Sequence, residues 1–299
     1  MIRRAFRFLS ETIASDLGFP LELRRVVTVN PALRVILEEP AKVVSARKVV
    51  GWDRWKAISH RGCGVLQCWS KQSGNRYYSS SNVFCPALEN IVQTHTFENF
   101  NCDIQEVEGL AASKSPIEDF SCMDEFVIAQ SPEMIDEISD ERLQKNLRHH
   151  EIRILREKNK SDYFTRHQWD GRLFLMNSGG SHHFAAARLL ARRIGRKIPL
   201  SGKLYDYRLN ASAINSLRGE FEMFAISEDG IYMDFFHAME HFQATFCTYG
   251  LPRPYMNATM ILLPKSETRS QRVATVLQEE GFFDIGRYLQ DLANRPVLP

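Results

Sequence analysis

The residue types best suited to chemistry lie in one short run, Asn177-Ser178-Gly179-Gly180-Ser181-His182-His183, with Arg188 shortly after it. Two consecutive glycines let the backbone turn where side chains would obstruct it, and they let a ligand approach the main chain closely. A helix beginning just after them would aim its unpaired first-turn N–H groups into the loop, which makes a nest for phosphate or carboxylate. Asn177, Ser178, Ser181 and His182 would then supply side-chain donors, and Arg188, about two turns into the helix, a cation. The same turn also has a purely structural reading, in which it only joins a strand to a tightly packed helix.

A second set of candidates brackets that loop. His167, Asp170, His182 and His183 are candidate catalytic residues, with Asp162 nearby in the chain. A histidine can act as a base near neutral pH, and an aspartate can orient it or bind Mg2+, a combination suited to phosphodiester or nucleotide hydrolysis. That chemistry requires the two sides of the motif to converge. His237 and His241 are four apart and share a face if the segment is helical. They lack the H-E-x-x-H order of a zinc protease, and the aromatics around them favour a buried or pocket-lining helix. No G-x-x-x-x-G-K-[ST] loop, G-x-G-x-x-G loop or G-x-S-x-G elbow is found, and chain order assigns no base to Ser178 or Ser181.

The elements that must position these residues follow from periodicity and punctuation. The apolar runs at 150–155 and 172–176 predict strands, and 183–194, rich in alanine, leucine and arginine, predicts a helix closed by Gly195. A helix is also expected from Ser131-Pro132 onward, with an apolar stripe that drifts. Segments 64–70 and 75–79 predict a hairpin around Ser73-Gly74, with Trp52, Trp55 and Trp69 in its core, and 222–226 with 230–235 predict another around Glu228-Asp229-Gly230. Val26–Val29 and Val35–Leu37 read as strands from their β-branched content, as do 203–209 and 256–263. Periodicity is poor from about Phe84 to Gln130, which predicts a long connection or irregular lobe, and a helical tail interrupted near Gly281 closes the chain.

The stretch Asp170-Gly171-Arg172-Leu173-Phe174-Leu175-Met176-Asn177-Ser178-Gly179-Gly180-Ser181-His182-His183-Phe184-Ala185-Ala186-Ala187 resembles the ParB/sulfiredoxin superfamily, and the local resemblance extends over about residues 150–197. That superfamily carries a strand, a glycine-containing loop, a His-Arg pair and an alanine-rich helix. Its members include nucleotide-binding partition proteins, nucleases and an ATP-dependent reductase. The resemblance implies that Gly179 and Gly180 wrap phosphate and that His182 is the motif histidine. It implies ATP, CTP or GTP with Mg2+ as ligand, and hydrolysis or regulation of a macromolecular partner as outcome. His183 stands where arginine is usual, which removes a fixed cation, and Ser181 stands where the reductase has its cysteine.

The resulting expectation is an α+β or α/β protein. A mixed sheet would carry the strand–glycine loop–helix unit within 131–299, which ends in a helical extension, and 1–130 would form an N-terminal mixed lobe. Of 299 residues, 44% are hydrophobic and 25% charged, the composition of an ordinary globular chain. The formal net charge of +2 conceals a division, with 12 acidic residues and one lysine over 101–141 against seven basic residues and one aspartate over 182–208. Arg192, Arg193, Arg196 and Lys197 form a basic edge that would contact nucleic acid weakly or receive the acidic segment. Partners are therefore expected to be a phosphate-containing small molecule or a protein. An interaction module with a degenerate pocket and a metal-dependent nuclease are the alternatives. Six thinly spread cysteines suggest thiols in a reducing, cytoplasmic compartment, with no structural metal, and no apolar run reaches membrane-spanning length. The basic, apolar start Met1–Leu9 reads as an ordinary first helix.

Overall fold

The computed structural model describes residues 11–71, 78–156, 161–228 and 232–296. The chain is α+β and divides into two compact units that interleave in sequence. One comprises Met1–Glu38, Gly51–Val92 and Leu209–Asn294; the other comprises Glu39–Val50, Gln93–Arg208 and Arg295–Pro299. A single cut near residue 130 does not separate them, because distant segments assemble each unit.

In chain order the strands are β1 (Val65–Lys71), β2 (Tyr78–Phe84), β3 (Val92–Asp103), β4 (Val107–Leu110), β5 (Tyr163–His167), β6 (Leu173–Met176), β7 (Pro199–Leu209), β8 (Phe221–Ser227), β9 (Phe246–Gly250), β10 (Ala258–Pro264) and β11 (Phe283–Asp284). The helices are α1 (Leu21–Val29), α2 (Pro86–Glu89), α3 (Met123–Gln130), α4 (Asp140–Leu147), α5 (Ser181–Arg193), α6 (Ala211–Glu220), α7 (Tyr232–Phe242), α8 (Thr268–Glu279) and α9 (Ile285–Ala293).

The first unit is built on an antiparallel sheet in the order β11-β8-β10-β9-β1-β2. β10 is central and buried along almost its whole length, which explains its continuous apolar sequence. Its core joins Leu23 and Val27 of α1, Phe235 and Met239 of α7, and Val273 and Leu277 of α8 to Ile261 and Leu263 of β10. Trp52 and Trp55 are fully buried in this unit, with Trp55 donating its indole N–H to the Gly250 carbonyl at 2.7 Å. The hairpin of β1 and β2 is present, with Val65 opposite Phe84 and Lys71 opposite Tyr78, while Ser73-Gly74 lies outside the described residues.

Several local expectations are corrected. Val26–Val29 is helical because Leu23, Val26 and Val27, spaced i, i+3 and i+4, bury one face, and that packing outweighs β propensity. Residues 35–37 form no strand. Tyr232 begins helix α7, so β8 has no hairpin partner there; Asp229, Gly230 and Met1–Leu9 lie outside the described residues. Cys68 and Cys247 face one another across β1 and β9 and are disulfide-bonded, leaving Cys63, Cys85, Cys102 and Cys122 as thiols.

The second unit is built on a mixed sheet, β3-β7-β5-β6-β4, in which β5 runs parallel to β7 and antiparallel to β6, and β4 runs parallel to β6. Thus 84–130 contains the strands β3 and β4 and the helices α2 and α3 in place of an irregular lobe. Residues 150–155 include a short 3-10 turn, Arg153–Leu155, and no strand. Helix α5 is the hub. Phe184, Ala185, Ala186, Ala187, Leu189, Leu190 and Ala191 are all buried, and their small size lets α3 and α4 pack closely on it. Gly195, at φ 71, ends it as expected.

Candidate functional site

The parallel strands β4 and β6 both point their carboxyl ends toward one edge of the second unit, where the chain leaves β6 for α5. Crevices of this kind, outside the carboxyl ends of parallel strands, recur as binding sites in α/β sheets. Asn177, buried at the start of the loop, clamps the two strand ends together. Its Oδ1 accepts from the N–H groups of Ala111 and Ala112 at 3.1 and 3.2 Å, and its Nδ2 donates to the carbonyls of Ala112 and Gly179, both at 2.9 Å. All four bonding positions of one amide side chain are thereby used.

Gly180 adopts φ 70, a left-handed conformation that glycine takes without strain, and caps α5 from there. Its N–H donates to Oε2 of Glu151 at 3.1 Å. The anion seated on this amide is a carboxylate of the chain itself. That bond holds the Glu151 carboxyl below the usual carboxylate range, with further support from Lys114, His149 and His150. A Cβ on Gly180 would come within 2.9 Å of the Glu151 carbonyl carbon, so the close approach of the two backbones requires glycine here. Asp162, buried behind the loop, accepts from the Arg153 N–H at 3.1 Å, and burial pushes its carboxyl up. The Arg153 guanidinium donates to the Ser178 hydroxyl.

In front of the loop is a cavity of about 460 Å³, lined by residues 112–114, Ser131, Met134, His149, Glu151 and 178–183. That is the size range of small-molecule sites. Three imidazoles enter it. His182 lies between two hydroxyls, with Ser131 Oγ 2.5 Å from Nδ1 and Ser113 Oγ 3.5 Å from Nε2. Ser113 Oγ also accepts from the Ser181 hydroxyl at 2.9 Å and the Ser115 N–H at 3.2 Å. His183 Nδ1 lies 2.9 Å from Asn146 Oδ1. Asn146 donates its Nδ2 to the carbonyls of Met134 and Arg142, which fixes Oδ1 as an acceptor and puts the His183 proton on Nδ1. His149 stacks on His183 with ring centroids 3.7 Å apart and accepts the Glu151 N–H at its own Nδ1. Burial, and for His183 the neighbouring imidazoles, lowers the pKa of His182 and His183, so both are neutral near pH 7.

Of the residues singled out in the sequence, Ser178, Gly179, Gly180, Ser181, His182 and His183 line this cavity, with Asn177 bracing it. Three others are elsewhere. The antiparallel register of β5 and β6, Tyr163 opposite Met176 and Arg166 opposite Leu173, puts the His167–Arg172 turn at the far end of the hairpin from Asn177. His167 is buried there against Trp169, Tyr207 and Phe174. Asp170 forms a bidentate pair with Arg172 at 2.7 and 2.8 Å, which is a structural role. Arg188 does not reach the loop. It donates to Asp124 Oδ1 at 3.2 Å and to the Gln105 carbonyl at 3.1 Å, and Arg192 also pairs with Asp124. With Arg196 on Asp140 at 2.8 Å, the acidic segment is folded onto the basic helix.

Sequence reasoning missed Ser113, Lys114, Ser131, His149 and Glu151 as site residues. Glu151 lies inside the 150–155 run that predicts a strand, His149 just before it, and Ser131 at the start of a segment that predicts a helix. His237 and His241 each lie against a carboxylate, Glu240 at 3.6 Å and Glu22 at 2.6 Å respectively. Among the described residues no three His, Cys, Asp or Glu side chains gather to hold a metal.

The fold and cavity define an α+β protein with a histidine-lined cavity at the carboxyl ends of two parallel strands. Residues 97–299 match the model of a family of unknown function, DUF6685, and the chain belongs to that family. No curated protein and no solved structure matches the chain.

Proposed function

We propose that this protein binds a phosphate-bearing small molecule, a nucleotide such as ATP, CTP or GTP, at the loop between β6 and α5. The observation that carries this is the Glu151 carboxylate on the Gly180 N–H, an internal anion seated where a phosphate oxygen would sit. A ParB/sulfiredoxin-like unit would use the same strand–glycine loop–helix element. Lys114, which lines the cavity, would supply the cation that the absent arginine and the displaced Arg188 do not. Mg2+ would arrive on the ligand's phosphates, since Glu151 supplies the carboxylate of the cavity lining and is engaged by Gly180. The same Glu151 contact also favours a second reading, an interaction module whose pocket is closed by its own side chain.

Titration calorimetry with ATP, CTP, GTP and inorganic phosphate, with and without Mg2+, tests the proposal. A ligand must displace Glu151, so Glu151→Gln should tighten binding. Exchanging a charge-assisted hydrogen bond for a neutral one weakens the competitor by about 1 kcal/mol, or about fivefold in Kd. Absence of heat from both the native chain and E151Q at millimolar ligand overturns the proposal in favour of the interaction module.

A further inference from the structure

The hydroxyl–imidazole chain Ser181–Ser113–His182–Ser131 is not needed to bind an anion. Ser113 Oγ accepts from two donors, the Ser181 hydroxyl at 2.9 Å and the Ser115 N–H at 3.2 Å. A hydroxyl has two acceptor positions and one proton, and with Ser181 as donor to Ser113 the Ser113 proton is directed to Nε2 of His182, 3.5 Å away. With Nε2 accepting, the ring proton resides on Nδ1 and is donated to Ser131 Oγ at 2.5 Å. Ser131 thus occupies the place of the orienting group in a nucleophile–base–orienter arrangement. Separations of this length between nucleophile and base are ordinary before substrate binds. The Ser115 N–H on Ser113 Oγ favours its ionised form, which promotes proton loss to the imidazole. Phe126 packs on the His182 ring with centroids 4.8 Å apart and holds it in place. Ser113 and His182 both line the 460 Å³ cavity, and Lys114, next in the chain, brings positive charge to it.

We infer that Ser113 is a nucleophile and His182 its general base, and that the cavity hydrolyses small carboxylic esters through an acyl-serine intermediate. Ser113 Oγ bonds to the carbonyl carbon while its proton passes to His182 Nε2. Collapse of the tetrahedral adduct breaks the carbon–alkoxy bond, and His182 returns that proton to the departing alkoxide, leaving acyl-Ser113 and a free alcohol. Water then attacks the acyl carbon, giving a proton to His182, which delivers it to Ser113 Oγ as the acid leaves. Lys114 offsets the negative charge on the carbonyl oxygen in both tetrahedral adducts. No metal or redox partner enters the balance.

The test uses p-nitrophenyl acetate, which carries no anion, so its outcome is independent of phosphate binding. The full chain should release a burst of about one equivalent of p-nitrophenolate and gain one acetyl mass, mapped by peptide mass spectrometry to Ser113. Ser113→Ala should lose the adduct, and His182→Gln should acylate at least about 100-fold more slowly. Ser113→Cys gives a second readout. Its new thiol should react with iodoacetamide faster than the exposed Cys63 and Cys122, and adding H182Q should remove that advantage. An unmodified native chain, an adduct that persists in S113A, or acylation and alkylation rates indifferent to H182Q would each overturn the inference.

Discussion

Replacing either glycine that flanks α5 by alanine separates two costs that the helix ends share and do not share. Gly180 and Gly195 have almost the same backbone conformation, φ 70 and φ 71. An L-residue there costs about 1–2 kcal/mol, and both variants incur it. The surroundings differ. An added Cβ at Gly195 meets nothing within 4 Å, whereas at Gly180 it meets the Glu151 carbonyl carbon at 2.9 Å, its oxygen at 3.0 Å and the Ile152 nitrogen at 3.1 Å. These are backbone atoms and cannot swing aside, so overpacking adds about 1–3 kcal/mol. G180A should therefore lose about 2–5 kcal/mol and G195A about 1–2 kcal/mol. With a urea m-value of about 2 kcal/mol per M, the two midpoints should differ by about 0.5–1.5 M. Equal midpoints would refute the close approach of the Glu151 backbone to the loop, and with it the seating of the Glu151 carboxylate on the Gly180 amide.

Three further outcomes follow from the same contacts. Asp170→Asn should cost about 3–5 kcal/mol in chemical unfolding, because it leaves the buried Arg172 guanidinium without its bidentate partner; it should leave the affinity of any cavity ligand unchanged, and a loss of affinity in the folded variant would return Asp170 to the site. Asp124→Asn should cost about 1–3 kcal/mol, between an exposed and a buried pair, and should raise low-salt binding of nucleic acid in a mobility assay by freeing Arg188 and Arg192; unchanged binding would mean that the basic helix is not masked by the acidic segment. Because the folded pKa of His182 and His183 is lowered, the unfolded chain binds protons first as pH falls, so their contribution to stability is complete above about pH 6.5 and is lost below it. Unfolding midpoints measured from pH 7.5 to 5.5 should drop below about 6.5, with a slope of up to about 1.4 kcal/mol per pH unit per histidine, and this part of the slope should vanish in a His182→Gln, His183→Gln double variant.

What the sequence determined by itself is local. Gly179-Gly180 after an apolar run and before an alanine-rich segment specified a strand, a left-handed turn and a helix N-terminus, because backbone freedom and helix propensity act over a few residues. The antiparallel β1–β2 pair and the stop at Gly195 were legible for the same reason. Only tertiary structure decided which residues share the cavity. Register moved His167 and Asp170 to the far end of a four-residue strand, where the first is packed among aromatics and the second neutralises Arg172. Packing made Val26 and Val27 helical against their propensity, and a carboxylate 64 residues upstream drew Arg188 away from the loop. Ser113, Ser131 and His149 entered the site through strand order and the course of two connections, neither of which leaves a periodic signal along the chain. A hydroxyl acquires chemistry from the imidazole that faces it, and here that imidazole is 69 residues away in sequence.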